Sequence, residues 1–222
     1  MFKELKRLMD SMAIVWCVCG GHAIDLFVGQ QTRLHKDVDL AVLWEDRSKI
    51  ITEFIRRGWR VFEPNHGFLR EITSCTDDKM IEDNLWCLRP DAGYEIIHQF
   101  GNYYKISTAR TSQTALDFIE VLFNRVNNGA FLYKRNPQIS LTRYLYVSKN
   151  GIPYLAPEMI LLYKSTFVRL LGTVTPEHTE VVKNYRHDFR VARARLSVEQ
   201  KKWLKDALQE EYPKGHEWIE LL

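Results

Sequence analysis

Gly20-Gly21-His22-Ala23-Ile24-Asp25, followed by Thr32-Arg33-Leu34-His35-Lys36-Asp37-Val38-Asp39, sets a glycine pair ahead of two carboxylates one residue apart. An apolar run from Ile14 to Cys19 precedes the glycines and reads as a buried strand, and a second run, Val38 to Leu43, follows the aspartates. Side chains on a strand repeat every two residues, so Asp37 and Asp39 share a face within reach of one cation. Carboxylates this close repel, and a hard divalent ion such as Mg²⁺ is the usual remedy. Glycines at a strand-to-helix turn let backbone N–H groups approach a phosphate with no Cβ in the way. Metal-holding carboxylates and a phosphate cradle together point to phosphoryl or nucleotidyl transfer.

The order and spacing resemble the DNA polymerase β-like nucleotidyltransferase superfamily and, within it, the small aminoglycoside and lincosamide adenylyltransferases. The likeness is strong over residues 20–39, with weaker echoes at Gly67-Phe68-Leu69 and Glu71-Ile72. A glycine pair or an Asp-x-Asp alone is common; the composite with Thr32, Arg33 and His35 is more specific. The resemblance implies an α+β nucleotidyltransferase fold, a short twisted mixed β-sheet flanked by helices and followed by a C-terminal helical region. It implies that Asp37 and Asp39 hold Mg²⁺ and that Gly20 and Gly21 meet the triphosphate of a nucleoside triphosphate co-substrate, ATP. His22 departs from the tryptophan that related enzymes often have there.

The chain is 222 residues long, 45% hydrophobic and 27% charged, the composition of a globular protein with an ordinary core. A net charge of +3 does not demand nucleic acid as a partner. Cys17, Cys19, Cys75 and Cys87 lack zinc spacing and read as reduced thiols, with Cys17 and Cys19 facing a core together. Lys3, Lys6 and Arg7 before an apolar stretch imitate a signal peptide, but Asp10, His22 and Asp25 interrupt it. No apolar run approaches the ~20 residues of a membrane span. These features point to a cytoplasmic protein.

Helical spacing covers residues 2–12, and strand 14–19, a short helix to Val28 and strand 37–43 follow. A helix over 46–57 ends near Gly58; strands 59–63 and 67–73 flank a Pro64-Asn65 turn. From Ser74 to Ala115 the pattern is weakest, with one strand over 94–100. Leu116 to Phe123 is a firmer strand, which Phe131 to Lys134 is expected to pair across the Asn127-Asn128-Gly129 turn. Gly151-Ile152-Pro153 marks a boundary between an α/β domain (1–150) and a helical domain (151–222). The latter has helices over 156–171 and 176–196 and a third opened by the capping box Ser197-x-x-Gln200.

A two-metal site needs a third carboxylate from a neighbouring strand. Glu120 interrupts an otherwise apolar strand, where burying it without a partner is costly, so it ranks ahead of Asp117, Glu82 and Asp83 as metal ligand or base. Asp25 is expected to pair with Arg33, and Thr32, Arg33 and His35 are alternatives for phosphate, Arg33 first because its planar fork suits phosphate oxygens. In the tail, Lys183, Arg186, Arg190 and Arg193 form a basic row beside an apolar stripe of Val182, Tyr185, Phe189, Ala192 and Leu196. The stripe is expected to dock on the sheet. Related enzymes carry a Lys-Asp pair where this chain reads Tyr185-Arg186-His187-Asp188, so Lys164 and Arg186 are the candidate triphosphate cations.

The function these residues suggest is transfer of a nucleoside monophosphate, AMP from ATP, to a hydroxyl of a small molecule. The resemblance implies an aminoglycoside- or lincosamide-like antibiotic as acceptor, and hence a part in antibiotic resistance. A polycationic acceptor needs an acidic pocket, for which Asp77-Asp78 with Glu82-Asp83 is the one concentrated source. Transfer to a protein or an RNA, of the toxin–antitoxin type, and a non-catalytic nucleotide-binding module are the alternatives.

Overall fold

The computed structural model describes residues 1–79, 84–90, 93–106, 116–169 and 176–222. In chain order the first elements are α1 (Phe2–Asp10), β1 (Trp16–Val18), α2 (Gly20–Val28), β2 (Val38–Leu43) and α3 (Arg47–Arg56). Then come β3 (Arg60–Asn65), β4 (Phe68–Ile72), β5 (Asn84–Leu88), β6 (Ile96–Phe100), β7 (Tyr103–Ile106) and β8 (Phe118–Asn124). Five short strands follow: β9 (Val126–Asn127), β10 (Ala130–Leu132), β11 (Ser140–Leu141), β12 (Leu145–Val147) and β13 (Pro153–Leu155). Helices α4 (Pro157–Arg169), α5 (Pro176–Arg193) and α6 (Val198–Glu211) close the chain. The architecture is α+β, with a mixed twisted sheet flanked by helices and a C-terminal helical region.

Two compact units make up the chain, one of residues 1–18 and 35–125, the other of residues 19–34 and 126–222. In the first, strands run in the order β1-β2-β8-β5-β3-β4-β7-β6. Only β2 and β8 pair in parallel; the other neighbours are antiparallel. The sheet's interior alternates as a half-buried strand should: Ile119, Val121 and Phe123 are buried on one face of β8, leaving Phe118, Glu120 and Leu122 on the other. Helix α3 buries Ile50, Ile51 and Phe54 and ends as the sequence predicts. Gly58, at φ 78°, donates to Ile55 at 2.8 Å and Trp59 donates to Phe54 at 3.0 Å, the paired bonds of a Schellman stop.

Two local expectations fail. The β3–β4 turn is at His66-Gly67, not Pro64-Asn65: both residues have positive φ (47° and 81°), as a two-residue type I′ hairpin requires. Pro64 is accommodated inside β3 because β5 pairs only as far as Phe62. The segment at Phe131 does not pair with β8. Strand β10 pairs instead with β9 and β11 in a separate three-stranded sheet of the second unit. Strands β5, β7, β9, β11, β12 and β13 are not anticipated at all, and Glu82 and Asp83 lie outside the described residues.

In the second unit α2, α4, α5 and α6 pack together. Of the predicted stripe, Val182, Phe189 and Ala192 are buried on α5, Leu196 is buried just beyond its end and Tyr185 is half-buried. Where docking on the sheet is expected, α5 packs instead on the helices α4 and α2, and Phe189 stacks on Trp218 with ring centroids 4.1 Å apart. Helix α6 carries the expected capping box, in which Ser197 and Gln200 satisfy each other's backbone N–H groups. Among the described residues, no helix is long and apolar enough to cross a membrane.

Candidate active site

Strand register builds the acidic site. In the parallel β2–β8 ladder Asp39 stands opposite Glu120, and in the antiparallel β8–β5 ladder Glu120 stands opposite Trp86. Asp39, Glu120 and Trp86 therefore form one row across three strands, with Asp37 just before β2. Carboxylate oxygens of Asp37, Asp39 and Glu120 all lie within 4.8 Å of one another. Asp117, by contrast, comes just before β8 and shares the parity of the buried Ile119 and Val121.

Neutral groups hold Glu120 in place. Asn84 Nδ2 donates to its Oε1 at 2.6 Å, and the Trp86 indole N–H reaches the same oxygen at 3.4 Å. Burial pushes the Glu120 carboxyl above its ordinary 4.5; the Asn84 hydrogen bond opposes this and the nearby Asp37 charge adds to it. Three oxygen donors converging in one partly buried place are the donor set that a hard cation such as Mg²⁺ takes. The cluster is able to coordinate a divalent metal. Asn84 and Trp86 escape the sequence reading, although the alternation Asn84-Leu85-Trp86-Cys87 puts both on one face of a strand.

A cavity of about 730 Å³ adjoins this row within the same unit. Asp37, Asn84 and Trp86 belong to its wall, which continues over Phe68, Tyr104 and Phe118. The acidic pair foreseen for a polycation is differently employed. Arg47 binds Asp78 through Nε at 2.6 Å and Nη2 at 2.8 Å, and also reaches Glu63 at 3.0 Å. Arg70 holds the other Glu63 oxygen at 2.5 Å, which completes a buried, charge-balanced network, and Asp77 accepts from Thr73 at 2.6 Å.

The remaining candidates lie in the second unit. Gly20 opens α2 at φ 62°, a conformation that glycine takes at no steric cost, and Cys19 supplies no side-chain cap to the helix. Asp25 accepts from Thr32 N–H at 2.9 Å and Thr32 Oγ1 at 2.7 Å, so it braces the following loop through Thr32. The Arg33 fork goes instead to Asp188, at 2.8 and 3.0 Å, and Lys164 joins the same carboxylate at 2.9 Å. Asp188 has no exposed side-chain surface, and Lys164 also sits 4.2 Å from the Tyr185 ring centroid. Arg33 and Lys164 thus share one anion between two cations. Arg186 pairs with Glu217 at 3.0–3.1 Å on the surface, and Arg190 donates to His187.

A family model described as aminoglycoside-2''-adenylyltransferase matches residues 1–74, a third of the chain. No curated protein matches the sequence. Among solved structures, the antibiotic-resistance factor ANT(2'')-Ia in solution is similar with a TM-score of 0.53 and 16% identity, over 96% of each chain. The crystal structure of ANT(2'')-Ia with adenylyl-2''-tobramycin gives 0.53 and 15%, over 93% of each chain. The lincomycin-bound lincosamide antibiotic adenylyltransferase LnuA gives 0.50 and 16%, over 84% of this chain and 96% of that one. At such identities the likeness carries the fold and leaves the substrate open. The fold is that of a nucleotidyltransferase-like protein, shared with these adenylyltransferase structures.

Proposed function

We propose that the protein is a Mg²⁺-dependent nucleotidyltransferase that moves AMP from ATP to a hydroxyl of a small molecule. The observation that carries this is the convergence of Asp37, Asp39 and Glu120 within 4.8 Å, on or beside two paired strands of a fold that houses such enzymes. In the reaction the acceptor oxygen bonds to the α-phosphorus, the bond from that phosphorus to the pyrophosphate oxygen breaks, and the hydroxyl proton passes to water or to Glu120 as base. Mg²⁺, when bound, opposes the charge on the phosphate oxygens and makes the acceptor hydroxyl easier to deprotonate. Asp37, Asp39 and Glu120 are the residues that would hold it. Asn84 and Trp86 fix the Glu120 carboxylate, so that its orientation costs nothing at the moment of reaction. Gly20 and Gly21 are proposed to offer backbone N–H groups to the triphosphate. Arg33 and Lys164, one positive charge in surplus over Asp188, and more weakly Arg186, are the proposed triphosphate cations.

The test is release of pyrophosphate from ATP, with and without Mg²⁺, across a panel of hydroxyl acceptors. Release that needs Mg²⁺ and falls by at least ~10²-fold in Glu120→Gln supports the reading. No release with any nucleotide or acceptor would make the protein a binding module, and release only with an RNA or protein acceptor would support macromolecular transfer.

A further inference from the structure

From the wall of the cavity beside the carboxylates, we infer that the acceptor is an uncharged or anionic hydroxyl compound with a flat apolar body, and not a polycation. This rests on the transfer reading above, since it names the molecule that the same site would modify. The volume, about 730 Å³, suits a ligand of ordinary drug size. Its floor continues the core of Phe62, Leu69 and Leu88, over which Trp86, Tyr94, Tyr104 and Phe118 remain only partly covered. Trp86 lies tilted against Phe118 at 5.1 Å and Tyr94 meets Phe118 edge-on at 6.0 Å, so the lining presents ring faces and edges to whatever enters.

Charge decides the class. Among the described residues, the formally charged lining is Lys36, Lys105 and Asp37, and Asp37 belongs to the metal set. A molecule with several ammonium groups would lose water there and meet two lysines. Ring faces attract cations too, but the protein already fills two of them. Lys105 Nζ sits 5.2 Å from the Phe68 centroid and Arg60 4.8 Å from that of Tyr104. The acids Asp78 and Glu63 are tied to Arg47 and Arg70. A ring-bearing alcohol or phenol burying its apolar body here brings a hydroxyl to the wall formed by Asp37, Asn84 and Trp86. Its oxygen bonds to the α-phosphorus of ATP as the bond from that phosphorus to pyrophosphate breaks, the hydroxyl proton passes to water, and no oxidant or reductant enters.

The test is calorimetric titration of the full chain with three probes: 2-naphthol, its 6-sulfonate and tobramycin, a polycation. The naphthols should bind saturably, with tobramycin at least ~10-fold weaker. Phe68→Ala should weaken both naphthols by about 10-fold, the loss of one ring contact. Lys105→Glu, at an exposed position that leaves folding intact, should weaken the sulfonate by about 5-fold or more and leave 2-naphthol within about 2-fold, as screening of a surface charge allows. Tighter binding of tobramycin, or naphthol binding indifferent to both substitutions, would overturn the inference. Displacement of 2-naphthol by Mg²⁺ with a non-hydrolysable ATP analogue would also overturn it, because the cavity would then belong to the nucleotide. Pyrophosphate release separates this from the broader reading. Release with tobramycin but with no ring-bearing alcohol defeats only the acceptor class. Naphthol binding with no release from any nucleotide defeats the transfer reading instead.

Discussion

At Glu63 and Asp78 the acids are met by guanidinium groups; at Glu120 they are met by a carboxamide, an indole N–H and other acids. Both regions lie in the same unit and both bury carboxylates. In the first, Arg47 and Arg70 neutralise two acids in place, with every charge opposed by protein, which ties α3 to β3 and β4. In the second, Glu120 is oriented by neutral donors while Asp37 and Asp39 crowd it. A fold that needed only rigidity at Glu120 is better served by an arginine there. Neutral donors leave the negative charge available, which is the condition for recruiting a metal ion.

Substitutions should therefore act with opposite sign in the two regions. The largest effect belongs to Arg47→Ala, which strands the buried Asp78 carboxylate, leaves Glu63 with Arg70 alone, and should cost about 3–5 kcal/mol in urea unfolding. Next is Asp188→Asn in the second unit, which leaves Arg33 and Lys164 to repel each other, at about 3 kcal/mol near pH 7. Burial alone would raise the Asp188 pKa, but the Arg33 hydrogen bonds and the Lys164 charge outweigh it and hold the carboxyl below its ordinary 3.8. A depressed folded pKa gives stability that is complete above 3.8 and disappears as the pH falls below it, so the gap between wild type and Asp188→Asn should close in acid. Asp37→Asn should do the reverse of Arg47→Ala. In metal-free buffer it relieves repulsion and should stabilise the fold by about 0.5 kcal/mol, and an equally large loss would mean that the cluster is structural. The smallest effect belongs to Arg186→Ala, whose exposed pair with Glu217 should change stability by less than about 0.5 kcal/mol. Weaker binding of Mg²⁺-nucleotide in that variant, shrinking at high salt, would assign Arg186 to the triphosphate.

Much of this was legible in the sequence because it is local. The stop at Gly58, the capping box at Ser197 and the stripe on α5 are written within a few residues, and the structure repeats them. Glu120 was legible for a different reason: an ionisable residue in an apolar strand announces a partner even where the partner is unknown. Pairings across the chain were not legible. Nothing in the spacing of Thr32-Arg33 points to Asp188 on α5, and nothing around Phe131 prefers β9 to β8. The hairpin turn was misplaced because Pro64-Asn65 has the stronger general turn chemistry, whereas the positive φ demanded by a tight hairpin favours Gly67. Strand β5 hid in a weakly patterned segment, and with it went Asn84 and Trp86.

The central claim is that Asp37, Asp39 and Glu120 form a cation site that serves a nucleotide. Titration of Mg²⁺ into the full chain with a non-hydrolysable ATP analogue, followed by calorimetry, addresses it without reference to any acceptor. The wild type should bind saturably and Asp39→Asn at least ~10-fold more weakly, its fold unchanged by circular dichroism. Equal Mg²⁺ affinity in the two proteins would contradict it.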